Sequence, residues 1–562
     1  MQLGCNWFVS IFIILSVITF SAHAVEPDAP DGLITAAEAN IIKLRIRLEQ
    51  LKRPKRQEVL YERNGLQAFY ALRRNGLVWF EGNKINAHGK QAMKVLQDAA
   101  KWGLDPDDFK FPAYLTQNAY AASSIKDKIE AELRISLAIL RYARHARGGQ
   151  INPSRLSLDF DRKPQLEDPQ YVLEHLLTAQ NPRDYLEGLH PQHSQFQRLR
   201  KKYTYLLHKS SNRKLKRREW RLLKKLRLNM HLWRWMPRDM GKRYVWANIP
   251  EYKVRVIDEG QTIFQERVVI GKKTHKTPIF SDEMETVVFQ PYWYVPNSIK
   301  VKQLLPRLLQ GKAPRGYKIA AKFGGQEINP YKINWRRQDI RKYVVYQPPS
   351  QRNALGKVKF LFPNKHAVYF HDTPKKHLFR YKQRAFSHGC LRVRNPLNFA
   401  HALLSEDRNW KQRHIQRAVA RGPENNPVKL KKKVPVHIVY FTTWVENNGK
   451  LRVFRDIYGH ERLISKGLSG QADAIEPPKK EDLGKTRAAI VAGHSIKKRR
   501  YRLTQNQRQK QARYKKRRYR LTQNQRQKQA RYKKRKAYAA KKRRDYAASY
   551  RSLLGFTQPR SR

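Results

Sequence analysis

The first large segment of the chain has the hydrophobic spacing of α-helices. From about residue 33 to 147, apolar side chains recur every three or four positions, as in ITAAEANIIKLRIRLEQL and IKDKIEAELRISLAILRYARHARGG. In the second stretch the apolar residues share one face, and Gly148-Gly149 provides the stop signal. The pattern predicts a helical domain over residues 25–199, in which no catalytic constellation is visible.

At about Arg243 the pattern changes to alternation of apolar and polar residues. The stretch RYVWANIPEYKVRVIDEGQTIFQERVVIG contains two such runs around Asp258-Glu259-Gly260, which predicts a β-hairpin. Short β-branched and aromatic runs follow, and VPVHIVYFTTWVENNGKLRVF predicts a second hairpin with a type I′ turn at Asn448-Gly449. A mainly-β domain is therefore expected over residues 227–466, joined to the helical domain by a charged connector at 200–226.

The tail from about residue 467 loses apolar content and becomes repetitive. KKRRYRLTQNQRQKQARY occupies residues 497–514 and recurs unchanged at 515–532, and residues 495–562 carry 27 Lys or Arg against one acid. Such a composition predicts a disordered basic tail over 467–562. Because 18 residues equal five helical turns, the repeat could become helical on a polyanion. The whole chain is thus an α+β multidomain protein.

Composition adds a strong positive field to this picture. The 562 residues include 40% hydrophobic side chains, enough for two or three cored domains, and the formal net charge is +72. Such a charge implies polyanionic surroundings such as nucleic acid, anionic lipid or acidic wall polymers. About +46 of it remains on residues 1–494, so basicity is a property of the whole protein.

The amino terminus has the pattern of an export signal. MQLGCNWFVSIFIILSVITFSAHA contains an apolar run from Trp7 to Phe20 and a small-x-small site at Ala22-His23-Ala24. We expect a signal peptide at 1–24, with an uncleaved anchor as the alternative because the start lacks Lys and Arg. Cys5 would leave with the signal. Cys390 would then be the single cysteine of the exported chain, which excludes an internal disulfide.

The residues around Cys390, in AFSHGCLRVRN, suit nucleophilic chemistry. His388 and His371 are candidates to favour its thiolate, and N–H groups at Gly389 and Cys390 could stabilise an oxyanion. Arg392, two residues on, is placed to meet a carboxylate. One Cys with scattered His lacks the spacing of a zinc site, so a metal is not expected. The residue types predict a Cys–His acyl-transfer site.

His371, fifteen intervening residues and then SHGC at 387–390 resemble the signature of the L,D-transpeptidases, the family with a YkuD-type catalytic domain. The flanking stretches RWMPRDMGKRYVWANIP, TPIFSDEM, PYWYVP, YFHDTP and FRDIYG are similar to the large Gram-negative class, which has an N-terminal helical scaffold. The resemblance covers roughly residues 35–465. It implies a periplasmic or cell-envelope enzyme acting on peptidoglycan stem peptides, with a helical capping insertion at about 296–360.

The resemblance also implies roles for individual residues. Cys390 would be the nucleophile, and His371 the general base and proton donor, with the main-chain carbonyl of Asp372 orienting its ring. His388 would be structural or adjacent to the oxyanion. The oxyanion and substrate side of the site would consist of Gly389, Cys390, Tyr369, Ser387 and Arg392, the last holding a substrate carboxylate.

The implied reaction is a two-step acyl transfer that needs no metal or organic cofactor. The thiolate attacks the L-centre carbonyl of meso-diaminopimelate in a tetrapeptide stem and releases D-Ala, and an amine of a second stem then resolves the thioester as a 3→3 crosslink. The Lys of an anchored protein or a D-amino acid would be other acceptors. The chain departs from the family in two ways: it has no evident peptidoglycan-binding module between scaffold and catalytic domain, and it adds the basic tail, which could attract anionic envelope polymers.

Other interpretations remain open from the sequence. The charge and the Tyr-interleaved repeat suggest nucleic-acid binding, although the signal and the lack of a zinc-finger, homeodomain or RNP-type motif argue against it. A non-catalytic wall-binding or polyanion-binding scaffold is a further alternative. For single residues, a structural role is favoured for His388 and packing for Trp293. Tyr369 could be a packing residue of the strand or a functional one, and Arg392 could be a surface charge or a functional residue.

Overall fold

The computed structural model describes residues 35–52, 54, 56–117, 121–321, 325–471, 475 and 482–553. The predicted signal peptide, with Cys5, lies outside the described residues. The α-helices are α1 (Ala36–Gln50), α2 (Gln57–Ala71), α3 (Ala87–Gln97), α4 (Ile125–Gly148), α5 (Pro153–Leu156), α6 (Pro169–Thr178), α7 (Pro182–Gly188), α8 (Ser194–Asn212), α9 (Arg217–Arg234), α10 (Asn297–Ile299), α11 (Leu305–Leu308), α12 (Pro396–Arg408), α13 (Gln412–Ala420), α14 (His460–Lys466) and α15 (Leu483–Leu553).

The β-strands are concentrated between α9 and α14. They are β1 (Phe80–Glu81), β2 (Lys84–Ile85), β3 (Arg243–Asn248), β4 (Lys253–Asp258), β5 (Gln261–Gly271), β6 (Phe280–Phe289), β7 (Trp293–Tyr294), β8 (Lys318–Ala321), β9 (Tyr343–Gln347), β10 (Val358–Leu361), β11 (Phe370–His371), β12 (Ala385–Ser387), β13 (Leu391–Val393), β14 (Asn426–Val439), β15 (Thr443–Val445) and β16 (Leu451–Val453). The predicted helical amino-terminal region and the mainly-β region that follows it are therefore confirmed.

The chain divides into two compact units. Among the described residues, the first consists of those within 35–150, 164–238 and 447–450, and the second of those within 151–163, 239–446 and 451–553. Residues 151–163 lie in the middle of the stretch that the sequence predicts as scaffold, yet they pack in the second unit. There the Asp161 carboxylate accepts hydrogen bonds from Lys365 at 2.7 Å and from His366 at 2.8 Å.

The first unit is built around α4. Its apolar face, including Ile135, Ile139 and Tyr142, is fully buried in one cluster with residues from α1, α2, α3 and α6. Ser124 begins the helix by accepting the N–H of Asp127, and Gly149, with φ of +85°, follows its end. The predicted connector at 200–226 is occupied by α8 and α9, which pack against each other within this unit.

The second unit contains a β-sheet that closes on itself. The strand order is β12-β5-β13-β11-β10-β6-β14-β3-β4, and β4 pairs in turn with β5. The long strand β5 pairs with β4 along residues 261–267 and with β13 at Val268 and Val269, which closes the ring. The pairs β11–β13, β12–β5 and β14–β3 are parallel, and the remaining pairs of this sheet are antiparallel. In this sheet β11 lies between β13 and β10, and the candidate site is at the β11–β13 pair.

One of the two predicted hairpin turns is confirmed and the other is wrong. Asp258 pairs with Gln261 across Glu259 and Gly260, whose φ angles of +45° and +80° suit a type I′ turn. At the second hairpin Val445 pairs with Leu451, which leaves a five-residue loop rather than a two-residue turn. Gly449 has a φ of +77°, whereas Asn448 is not among the residues of positive φ, so the type I′ conformation is not formed.

The capping insertion is only partly helical. We call residues 293–355 the cap; they contain α10, a π-helical turn at Lys300–Leu304, α11 and the antiparallel sheet β7-β9-β8. Their apolar residues form a separate core that includes Val301, Leu305 and Ile340, all fully buried. The prediction of a helical insertion is therefore wrong for its second half, where β-branched and aromatic residues of KYVVYQPP favour a strand.

The tail also differs from the prediction. Disorder is expected from residue 467, but Leu483–Leu553 is a single helix, α15. Between Gly493 and the end of this helix the sequence has neither Gly nor Pro and is rich in Ala, Arg, Lys and Gln, which are strong helix formers. High charge alone therefore does not decide between disorder and helix. Within the described part of the chain, no helix has the length and apolar character needed to cross a membrane.

Candidate active site

Two adjacent parallel strands bring His371 and Cys390 together. β11 ends at His371, and β13 begins directly after Cys390. Phe370 pairs with Leu391, and the Leu391 N–H donates to the Tyr369 carbonyl at 3.2 Å. Cys390 comes nineteen positions after His371 in sequence, yet the register places Cys390 level with Tyr369, two residues from His371 along the neighbouring strand. Because side chains alternate along a strand, Tyr369 and His371 share a face of β11.

His371 is held as a neutral imidazole. Its side chain is buried, and Nδ1 donates a hydrogen bond to the Asp372 carbonyl, which can only accept. This bond fixes the tautomer and leaves Nε2 with a lone pair. Burial, reinforced by the Arg392 charge, lowers the His371 pKa to about 3 despite the opposing bond to Asp372. The ring therefore has the protonation state that a general base requires.

The Cys390 thiol is protonated at neutral pH. The Cys390 side chain is half-buried, and its partial removal from water raises its pKa to about 11, while Tyr369 and the charge of Arg392 reduce that effect without cancelling it. The Sγ atom lies 3.7 Å from the Ala367 carbonyl, a weak hydrogen bond in which the thiol donates. Attack on a carbonyl therefore requires a base to remove the thiol proton.

The segment before Cys390 is fixed by short-range hydrogen bonds. The Ser387 hydroxyl donates to the Cys390 carbonyl at 2.6 Å and accepts the Gly389 N–H at 3.2 Å. The Gly389 N–H, which the resemblance implies as an oxyanion donor, is thus directed to Ser387 in this structure. Gly389 has a φ of +122°, a conformation that favours glycine over any residue with a Cβ.

His388 lies between the cap and the nucleophile segment. Its Nε2 accepts a hydrogen bond from the Gln303 side-chain amide at 2.7 Å, and its ring packs edge-on against His275 with centroids 4.9 Å apart. Burial and nearby charges, Lys272 first among them, lower its pKa to about 4. With Nε2 engaged by the cap, His388 is placed for a structural role.

Tyr369 connects the thiol with the cap. Its ring packs against the buried core of the cap, of which Trp293 is a member. Burial is the main cause that raises the Tyr369 pKa, and the neighbouring Cys390 thiol adds to it. Trp293 is therefore a packing residue.

Arg392 lies beside both reacting groups. Its charge acts on the thiol and on the imidazole, and burial lowers its own pKa. Its Nε atom is buried and has no hydrogen-bond partner among the described residues. A buried guanidinium N–H without an acceptor favours binding of an anionic group.

The Asp372 carboxylate has structural partners. It accepts the N–H groups of Lys357 at 2.9 Å and Thr373 at 2.7 Å and an ion pair from Lys376 at 2.5 Å. A Cβ on Gly356 would come within 2.3 Å of this carboxylate, so only glycine fits there. These contacts fix the chain on either side of the carbonyl that orients His371.

Thr277 and Tyr458 hold the segment before Cys390, and residue-type reasoning did not identify them. The buried Thr277 hydroxyl donates to the Gly389 carbonyl at 2.7 Å and accepts the Gly271 N–H at 2.9 Å. The Tyr458 hydroxyl donates to the Gly271 carbonyl at 2.5 Å and accepts the Thr277 N–H at 3.3 Å. Both residues lie in stretches that carry the family resemblance, TPIFSDEM and FRDIYG, which was the available signal.

A basic cavity of about 740 Å³ opens beside Asp372. Asp372 is the only acid among the residues that line it, and the remaining charge is supplied by basic side chains and by the first turn of α12, whose N–H end favours anions. The cationic lining residues are Arg267, Lys357, Lys376, Arg380 and Arg394. The cavity suits an anionic molecule.

Two family models match the chain. Residues 242–418 match the model of the L,D-transpeptidase catalytic domain, and residues 64–202 match the model of a scaffold domain. A Haemophilus influenzae protein with the provisional name of L,D-transpeptidase is 31% identical over 226 residues. That alignment covers 39% of this chain and 45% of the relative, so the chain spans less than half of the curated protein it matches.

Solved structures of L,D-transpeptidases are also similar to part of the chain. One from Mycobacterium smegmatis is 12% identical, covers 35% of this chain and 58% of its own, and has a TM-score of 0.16. L,D-transpeptidase 1 of Mycobacterium tuberculosis is 12% identical with a TM-score of 0.14, over 35% of this chain and 61% of its own. At these scores the overlap carries no argument about the site.

Proposed function

We propose, from the match of residues 242–418 to the model of the L,D-transpeptidase catalytic domain, that the chain transfers peptidoglycan stem peptides through a thioester on Cys390. The observation that carries this proposal is the state of His371. Its Nδ1 is bound to the Asp372 carbonyl, and its charge is suppressed by burial, so Nε2 is free to accept a proton on the strand adjacent to the thiol.

In the first step Cys390 Sγ attacks the L-centre carbonyl of meso-diaminopimelate in a tetrapeptide stem. His371 Nε2 takes the thiol proton as the S–C bond forms. The Cys390 N–H and the Tyr369 hydroxyl support the developing oxyanion. The C–N bond to D-Ala then breaks, and His371 gives the proton to the leaving amine.

In the second step an amine attacks the thioester. His371 removes a proton from that amine and returns it to sulfur, which restores the thiol. An amine of a second stem gives a 3→3 crosslink, and the Lys of an anchored protein or a D-amino acid gives the related products. Arg392 pairs with a substrate carboxylate, since its buried Nε has no partner among the described residues. A basic site agrees with a substrate that carries a carboxylate.

The decisive experiment compares the wild type with Cys390→Ala and Cys390→Ser in a bacterium that lacks its own 3→3 crosslinks. We expect 3→3 dimers only with wild type. Only the wild-type protein should also gain the mass of the stem peptide bound as a thioester. Since an alcohol is a far weaker nucleophile at the neutral His371, Cys390→Ser should lose at least about 10³-fold in rate. Equal dimers in all three strains would contradict the proposal and would favour a non-catalytic polyanion-binding domain.

We further propose that α15 attracts anionic envelope polymers. From Gln525 to Ser549 the described side chains of this helix are exposed, and the only acid among them is Asp545. Three tyrosines of this part, Tyr532, Tyr538 and Tyr546, are each about 70% exposed. A long cationic helix that buries none of these side chains in its own protein suits a polyanionic partner by charge complementarity.

A further inference from the structure

The first turns of α15 are attached to the cap. We call residues 483–495 the root of α15. Asp482 begins the helix, because its carboxylate accepts the N–H of Gly484 at 2.8 Å and of Lys485 at 3.2 Å. In the root, Lys485 is exposed, whereas residues at helical spacing on the opposite side are half-buried; these are Leu483, Arg487, Ile490 and Val491. The root therefore has one face in contact with protein.

The polar contact of the root is made by Arg487. Its Nη2 donates to the Gln338 carbonyl at 2.9 Å and to the Arg336 carbonyl at 3.2 Å, and its Nε lies 3.7 Å from the Asp339 carboxylate. Both side chains of the Arg487–Asp339 pair are only 18% exposed. Asp339 also begins the turn that contains the buried Ile340 of the cap core. One guanidinium thus holds three groups of the cap.

The apolar contact is made one turn later. Ile490 and Val491 pack against the cap core, and α15 contacts both the Lys300–Leu304 turn and α11. The root therefore lies on the helical side of the cap, the side that also reaches the active site. Removing it would expose part of the core formed by Val301 and Leu304.

The same cap elements hold two residues of the site. Gln303, in the turn that α15 contacts, donates to His388 at 2.7 Å. Tyr369, which lies beside the Cys390 thiol, packs against the cap core that contains Trp293. A shift of the cap would therefore move both Tyr369 and His388, which lie beside Cys390.

From these contacts we propose that the root of α15 is a structural part of the cap, and that Arg487, Ile490 and Val491 are positioning residues for Tyr369 and His388. This role is separate from that of the repeats at 497–532. It rests on the proposed acyl transfer for its consequence in catalysis, but the contact itself can be tested at the thiol alone.

The test uses the full chain with Arg487→Ala and with Ile490→Asp, with the exposed Lys485→Ala as the matched control. A further control lacks residues 497–562 and keeps the root. Two rates are measured for each protein: thioester formation with a tetrapeptide donor, and alkylation of Cys390 by iodoacetamide as a function of pH. Thermal unfolding shows that each variant keeps its cooperative transition.

We expect both root variants to form thioester about tenfold more slowly, because Tyr369 and His388 lose their fixed positions. Alkylation of Cys390 near neutral pH should become faster, in contrast to thioester formation. Opening the cap returns water to the thiol, so the pH midpoint of alkylation moves down from about 11 towards the ordinary pKa of a thiol. Both controls should match wild type, and Arg487→Lys, which cannot form the same fork, should lie between wild type and Arg487→Ala.

Unchanged rates and an unchanged alkylation profile in folded Arg487→Ala and Ile490→Asp would overturn the proposal. A control lacking 497–562 that behaves like the root variants would also overturn it, because the effect would then belong to the charge of the tail. If wild type forms no thioester, the proposed function fails, and the alkylation profiles still decide whether the root positions the cap.

Discussion

Cys390 and His371 are both uncharged at neutral pH because burial moves their pKa values in opposite directions, to about 11 and about 3. Because both groups are then neutral, the proposed attack requires His371 to take the thiol proton as the S–C bond forms.

This state predicts the pH dependence of thioester formation. Since His371 stays neutral down to about pH 3 and the thiol stays protonated up to about 11, kcat/KM for the donor should be nearly flat between about pH 5 and 9. Single-turnover rates over that range check it. An acid limb near pH 6.5 would show an ordinary histidine instead, and a rise centred near pH 8 would show an ordinary thiol.

A histidine comparison assigns the base at the same scale. His371→Ala should reduce thioester formation by about 10²- to 10⁴-fold, because His371 Nε2 is the group proposed to take the thiol proton. His388→Asn should have a smaller effect, since His388 Nε2 is already bonded to Gln303. Equal losses in the two variants would contradict the assignment of His371.

At the scale of elements, the end of β5 and the nucleophile segment are joined by one hydroxyl. Thr277 receives the Gly271 N–H and gives its own proton to the Gly389 carbonyl, while Tyr458 holds Gly271 and Thr277 from the other side. This network fixes the carbonyl next to Cys390, and with it the direction in which the Cys390 N–H points.

Replacing this hydroxyl has a predictable cost. Thr277→Val keeps the shape but leaves the buried Gly389 carbonyl and Gly271 N–H without their partner, so the free energy of unfolding should fall by about 1–3 kcal/mol. Thioester formation should slow as the segment moves. Urea unfolding and single-turnover kinetics measure both, and Thr277→Ser is the matched control because it keeps the hydroxyl. Equal stability of the Val and Ser variants would contradict the argument.

At the scale of the whole molecule, positive charge is divided between residues 1–494 and residues 495–562. Residues 495–562 contribute 27 Lys or Arg against one acid. Deleting residues 497–562 should weaken binding to sacculi or lipopolysaccharide by at least about tenfold at low salt and should flatten its dependence on salt. Thioester formation with a small donor should be unchanged in the same protein. Binding that survives the deletion with the same salt dependence would place the polyanion site on the folded body.

The sequence by itself determined the order of elements and the chemistry. Three- and four-residue spacing predicted the helices of the first unit, and alternation from Arg243 predicted the strands of the second. The SHGC tetrapeptide with His371 upstream pointed to the family that the comparisons then supported. These features are local, so they can be read from spacing and residue type.

Only the tertiary structure decided how distant residues meet. Pairing of β11 with β13 puts His371 beside Cys390, and closure of the sheet brings Thr277 and Tyr458 to the nucleophile segment. A local signal failed where long-range packing competed with it, at the loop of Asn448-Gly449. The protonation states of Cys390 and His371 were also decided by the tertiary structure. Burial sets both pKa values, and burial depends on the whole fold.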